Sequence, residues 1–145
     1  MLADELRGMA PCQTEWITLD AAQVKAFADT TEDWQGVHLD ADAGRQAGFD
    51  GAIAHGFLTL SMLSSMAYQV FDGLSGYKTS VNYGFDRVRF VAPVTVGSRI
   101  RGHFSVAGVD EGDGWLNVQW DVSVEIEGKD RPALAAAWIT RLYLN

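Results

Sequence analysis

From Leu116 to Ile126 apolar and polar residues alternate without a break: Leu116, Val118, Trp120, Val122, Val124 and Ile126 against Asn117, Gln119, Asp121, Ser123 and Glu125. A period of two puts each set on its own face of an extended chain, which predicts a half-buried antiparallel strand. Val96 to Val106 alternates likewise, with Val96, Ile100, Phe104 and Val106 opposite Arg99, Arg101 and His103. The segments Asp110–Gly114 and Glu127–Pro132 read as hairpin turns between strands. Between Ser80 and Val91 the phase changes, since Val81, Tyr83 and Phe85 share one parity while Val88 and Phe90 share the other. A bulge near Gly84 to Arg87 reconciles them. Ala133 to Tyr143 is apolar at both parities until Thr140 and Arg141. That suits an inner strand covered on both faces, or one that meets a partner subunit.

The first half is patterned differently. Thr14 to Thr18 has the residues of a short strand, and Asp20 with Gln23 three positions later resembles a capping box for a helix through Val24, Phe27 and Ala28. Thr30 to Gly51 is polar, with Asp40 placed to cap a short helix from Ala41 to Ala47 that Gly48–Gly51 ends. From Gly56 to Phe71 the pattern is helical but not one stripe: Phe57, Leu60, Ala67 and Phe71 cover one side, Leu58, Met62 and Met66 another. A helix apolar around most of its circumference is buried on most sides. With four strands that share a continuous apolar face, the expectation is an α+β hot-dog fold, a long central helix wrapped by a curved antiparallel sheet. Residues 1–145 read as one domain, with residues 1–13 as a flexible N-terminal segment.

At 145 residues, 48% of them apolar and 21% charged, the composition is globular. The net charge of −8 argues against binding to nucleic acid or anionic membrane. A single cysteine, Cys12, forms no internal disulfide and belongs to no metal-binding pair, so a reducing cytoplasm is expected. The N-terminus lacks the features of a secretion signal, and the Gly56–Phe71 run is too short and polar to span a bilayer.

The chemistry concentrates between Asp33 and Ser61. Asp33 and His38 lie five residues apart in Asp33-Trp-Gln-Gly-Val-His38, and a carboxylate with an imidazole supplies an acid/base pair. Ala54-His55-Gly56 opens the apolar helix, where a glycine leaves backbone donors accessible. His38, Asp40, His55 and His103 match no metal-ligand spacing, so no metal is expected. No Gly-x-Ser-x-Gly elbow and no glycine-rich phosphate loop occurs, and no organic cofactor is implied.

Asp33-x4-His38, Gly51-Ala-Ile-Ala-His-Gly56, Ser61 and the run Val81–Ser98 together resemble the MaoC-like dehydratases, which include (R)-specific enoyl-CoA hydratases, and in particular the branch related to nodulation protein N. The likeness covers roughly residues 15–143. Family hydratases often carry Asn-Pro between the aspartate and the histidine; here Gln35-Gly36 stands in that region, a departure that concerns loop shape and substrate range. The resemblance implies reversible syn addition of water to a trans-2-enoyl thioester, giving an (R)-3-hydroxyacyl product, with coenzyme A arriving only as part of the substrate. Under it Asp33 is the base, His38 helps hold the water and relay the proton, and Gly56 N–H receives the thioester oxygen.

His55 and Ser61 are candidate substrate-binding residues. His55 has the alternative of bonding backbone at the helix entrance, and Ser61 of bonding back to its own helix. Arg87, Arg89, Arg99 and Arg101 are candidates for the coenzyme A phosphates, or else ordinary solvated strand positions. Two other functions compete. A hot-dog thioesterase would use a carboxylate to direct hydrolysis, and pairing Asp33 with His38 favours hydration instead. A non-catalytic acyl-thioester-binding subunit has no need of Asp33, His38 and Gly56 together. The apolar last strand and an open sheet edge predict a homodimer or higher assembly, with the acyl thioester near the subunit interface.

Overall fold

A computed structural model describes residues 1–145. The strands form one antiparallel sheet of six, β1 (Cys12–Gln13), β2 (Ile17–Thr18), β3 (Tyr77–Phe90), β4 (Arg99–Gly112), β5 (Trp115–Ile126) and β6 (Leu134–Leu144), one more than expected because two short strands, β1 and β2, stand where one was expected from Thr14 to Thr18. The spatial order is β1-β4-β5-β6-β3, and β2 also pairs with β4. Alternation does what the sequence requires. Ile100, Phe104, Val118, Trp120, Val122, Val124, Leu134, Trp138 and Leu142 fill the core from one face of the sheet. Arg101, His103 and Glu125 meet on the other. In β3 the register against β6 slips between Asn82 and Gly84 and between Phe85 and Arg87, which is the bulged region the phase change predicts. β6 is an inner strand, between β5 and β3. β3 pairs with β6 alone and leaves its second edge open.

Five helices accompany the sheet: α1 (Leu2–Arg7), α2 (Ala21–Thr31), α3 (Gly36–Leu39), α4 (Ala41–Gln46) and α5 (Gly56–Val70). Asp20 caps α2 by accepting from Gln23 N at 2.8 Å. The reciprocal half of the capping box is absent, because the Gln23 amide turns to Met62 Sδ instead. Asp40 caps α4 through Asp42 N. α5 lays Leu58, Leu63, Met66 and Ala67 against the sheet.

Two expectations are corrected. The N-terminal segment is not a loose tail: α1 buries Ala3 and Leu6 in the core, and the Arg7 guanidinium ties it to Val109 O and Glu111. Leu2, Ala3 and Leu6 are too few to register as a period, yet they are enough to dock one short helix. Nor is α5 enclosed on most sides within one chain, since Phe57 is 68% and Tyr68 78% exposed on its outer face. No helix is long and apolar enough to cross a membrane.

Candidate active site

The site is assembled where α2, the α3–α4 loop and the start of α5 converge. α2 ends at Glu32, whose left-handed φ of 61° makes it the only non-glycine residue with positive φ. That turn reverses the chain and delivers Asp33, whose amide closes on Ala28 O. The Asp33 carboxylate accepts from Gln35 N at 3.3 Å and remains about half exposed. His38 sits on α3, an element not anticipated from the sequence.

One stretched segment holds His38 in place. Ile53 N donates to Val37 O, Ala54 N to Val94 O and Val96 N to Ala52 O, so residues 52–54 are pinned between α3 and the strand approach near Thr95. His38 Nδ1 then lies 2.7 Å from Ile53 O. A carbonyl only accepts, so Nδ1 carries the hydrogen and Nε2 keeps a lone pair. By the same logic His55 Nε2 donates to Asp33 O at 2.9 Å. His55 is 2% exposed, with its ring stacked on His38 at 3.8 Å between centroids and flanked by Phe27. It therefore buckles the Asp33 loop to the entrance of α5, one of the two roles its position allowed.

Asp33, His38 and His55 each present a polar atom within 4.8 Å of the other two. Two hydrogen bonds of about 2.8 Å meeting at a tetrahedral water span about 4.6 Å, so separations within that limit leave room for one bridging water. A metal fits less well. His38 and His55 are stacked with only 25° between their planes. Their in-plane lone pairs run side by side rather than converging on one ion.

Gly56 opens α5. Leu58 N and Thr59 N already donate to His55 O, whereas the amides of Gly56 and Phe57 donate to no group of the protein. His55, at the capping position, offers no side-chain acceptor to them. Two free N–H groups at the positive end of a fifteen-residue helix are able to receive negative charge. Gly56 belongs to the wall of a cavity of about 250 Å³, together with His38, Ile53, Thr59, Phe90, Val91 and Ala133, and Phe57 follows it just outside that wall. Asp33 stands at its margin rather than in its wall.

Ser61 is not brought to this cavity. It is exposed, and its hydroxyl donates to Phe57 O at 2.7 Å within its own helix. The chain instead supplies Thr59, buried and in the cavity wall, and Phe90, whose ring lies against Gly56. Thr59 was discoverable from its helical spacing of three from Gly56; Phe90 required knowing which strand end meets the helix. Arg99 and Arg101 are spent on Glu127 and Glu125. Cys12 lies in β1, and burial pushes its thiol pKa up, away from a nucleophile's range.

A family model described as "MaoC like domain" matches residues 4–127. The chain belongs to the MaoC-like family. Among curated relatives it is 45% identical over 130 residues to nodulation protein N of Rhizobium leguminosarum bv. viciae, covering 88% of this chain and 81% of that one. It is 40% identical over 130 residues to 3-hydroxyacyl-thioester dehydratase Z of Mycobacterium tuberculosis, covering 89% and 85%. The solved (R)-hydratase from A. caviae superimposes with a TM-score of 0.72 at 24% identity, covering 90% of this chain and 92% of that one. The fold of this MaoC-like chain is thus the hot-dog fold of the family, and its relatives include proteins named as a hydratase and a dehydratase.

Proposed function

We propose that the protein adds water reversibly across a trans-2-enoyl thioester to give an (R)-3-hydroxyacyl thioester. The observation that carries this reading is the pair of unpartnered amides at Gly56 and Phe57, with Gly56 in the wall of the cavity that His38 also lines and an Asp33 carboxylate oxygen within 4.8 Å of a His38 ring nitrogen. A water that donates one hydrogen to Asp33 and the other to His38 Nε2 turns an oxygen lone pair toward the β-carbon. As the C–O bond forms, one O–H bond breaks and its proton passes to Asp33. The electron pair of the alkene moves toward the thioester oxygen, which the two amides hold as an enolate. Return of that proton to the α-carbon from the same side completes a syn addition and regenerates Asp33. The product hand follows the (R)-hydratase likeness. No step calls for a cofactor, and coenzyme A enters only with the substrate.

The same proposal includes a homodimer. The free edge of β3, the bare outer face of α5 and exposed Tyr83 and Phe90 together leave an apolar band that a second copy would cover. A cytoplasmic setting agrees with the lone Cys12.

The test is hydration of crotonyl-CoA followed by loss of the enoyl absorbance, with a free-thiol assay in parallel to detect hydrolysis. Asp33→Asn and His38→Ala are each expected to lower kcat by roughly 10²- to 10⁴-fold, and the double variant to lose far less than the product of the two. Retained kcat in either folded single variant, or release of thiol in place of hydration, overturns the proposal.

A further inference from the structure

A second cleft opens between the C-terminal half of α5 and the first half of β3, with Trp138 and Thr140 of β6 between them. Its volume is about 560 Å³, within the range of small-molecule sites. It shares no residue with the cavity at Gly56 and lies toward the opposite end of α5: Gly56 and Thr59 line the one, Ser64, Ala67 and Tyr68 the other.

What sets this cleft apart is that its donors have nothing to donate to. Trp138 is 2% exposed, and its Nε1–H is buried without an acceptor. The other such atom is His55 Nδ1, in the site already described. Thr140 is as deeply buried as Trp138; its Oγ1 accepts from Trp120 Nε1 at 2.9 Å, and its own hydrogen goes to no group of the protein. The two residues are two apart on β6, so their side chains leave the same face of the strand about 7 Å from each other. At the rim is Lys78, exposed and in no ion pair. That is unusual in a chain with 19 acidic residues against 11 basic ones, where Arg7, Lys25, Arg45, Arg99 and Arg101 are all paired. No aspartate or glutamate lines the cleft. A buried donor left without a partner costs free energy, which a ligand bringing an acceptor recovers. Ala67, Phe71 and the Tyr77 ring supply apolar wall beside these donors.

We propose that this cleft binds a free medium-chain carboxylate, whose hydrocarbon lies along Ala67, Phe71 and Tyr77 while its two oxygens accept from Trp138 Nε1 and Thr140 Oγ1 and Lys78 balances its charge. A carboxylate fits because it only accepts, through two oxygens, and because it carries the charge that Lys78 lacks as a partner. The length follows from the helix: from Ser64 to Phe71 α5 and its end advance about 10 Å, the length of octanoate. The site is separate from the reaction proposed above and makes no use of Asp33, His38 or Gly56.

The experiment is calorimetry with octanoate and with octan-1-ol, which has the same hydrocarbon body and no charge. Wild-type protein should bind octanoate about tenfold or more tightly than octanol. Lys78→Ala, which breaks no contact within the protein, and Trp138→Phe, which removes the indole N–H and keeps an aromatic ring, should each weaken octanoate about tenfold. Ser64→Leu puts a larger side chain into the cleft from an exposed helical position where leucine is well tolerated, and it should abolish binding. Melting temperature on the same preparations shows which variants are folded. Saturating crotonyl-CoA should leave bound octanoate in place, since the cavity at Gly56 is a different one. Octanoate that fails to bind, binds no better than octanol, binds any folded variant of the three as tightly as wild type, or is displaced by crotonyl-CoA overturns the proposal, the first being the result expected if a second copy of the chain fills the cleft.

Discussion

Gly56→Ala tests the proposed oxyanion contact apart from the fold. A Cβ built on Gly56 would meet Cδ1 and Cε1 of Phe90 at 3.0 Å, a few tenths of an ångström inside ordinary contact. Phe90 can give way. Its ring is 50% exposed, and its aromatic neighbour Phe57, edge-on at 6.0 Å, is exposed as well. Against the cost of moving that ring stands the better helix propensity of alanine, about 1 kcal/mol at an interior position and less in a first turn. Stability should therefore change by no more than about 1 kcal/mol, a Tm shift of a few degrees. Activity should respond much more. The methyl and the displaced ring crowd the wall from which the Gly56 and Phe57 amides reach the thioester oxygen, and losing one such donor costs about 10²- to 10³-fold in kcat. Melting temperature and crotonyl-CoA hydration, measured on one preparation, separate the two effects. Adding Phe90→Ala relieves the contact without removing the methyl, so the double variant should melt without the steric penalty and still turn over slowly. Wild-type kcat/KM in folded Gly56→Ala refutes the assignment, and full recovery in the double variant transfers the cause from the amides to the ring.

Gly44→Ala is expected to destabilise by more than about 2 kcal/mol and to lower hydration in the molecules that stay folded, because its Cβ would fall 1.9 Å from Gly51 O in the segment leading to the Ile53 carbonyl that holds His38; denaturant titration and activity on the same sample check both. Hydrogen bonds from Arg101 and then His103 hold the Glu125 carboxyl below the usual range, so the unfolded chain takes up its proton first as the medium acidifies. The stabilisation is complete above the ordinary glutamate pKa of about 4.3 and drains as pH falls through the lower folded value, so Glu125→Gln should flatten the decline of Tm between about pH 5 and pH 3, and an unaltered acid limb would contradict it. Light scattering at micromolar concentration should give twice the chain mass, with an interface of on the order of 1,000 Å² or more; a monomer alone would remove the homodimer.

Strand periodicity was the most legible part of the sequence. The faces of β5, and of β4 as far as Val106 where its register slips, follow from parity alone, and the β3 bulge from a break in parity, because a two-residue period admits few alternatives. The helix caps at Asp20 and Asp40 were equally local. α3 was not legible, since four residues carry no period, and α1 was hidden because three apolar positions resemble noise until β4 offers them a surface. Around the candidate site, residue type and spacing singled out Asp33, His38 and Gly56, which the fold brings near one another. His55 was placed near them without a settled role, since only the structure puts its Nε2 on a backbone carbonyl 22 residues earlier. Ser61 failed on helical geometry: five residues from Gly56 rotate it to the outer face, whereas three bring Thr59 inward.

The proposed reaction and the proposed homodimer also bear on one another. Asp33 is half open to solvent, and the cavity beside it has one wall, Phe90, that is itself half exposed. Bulk water at such a margin weakens the pull of the Gly56 and Phe57 amides on a developing enolate and competes for the carboxylate. Of the surfaces that a single chain leaves uncovered, Phe57 at the start of α5 and Phe90 at the end of β3 lie beside this opening, and Tyr68 and Tyr83 extend the same exposed band farther along that helix and strand. Covering them with a second copy would hide the aromatics and dry the site in one step. On the proposed reading, the open edge of β3 is therefore the unfinished side of the active site, and the apolar band that makes one chain adhesive is what makes two chains catalytic.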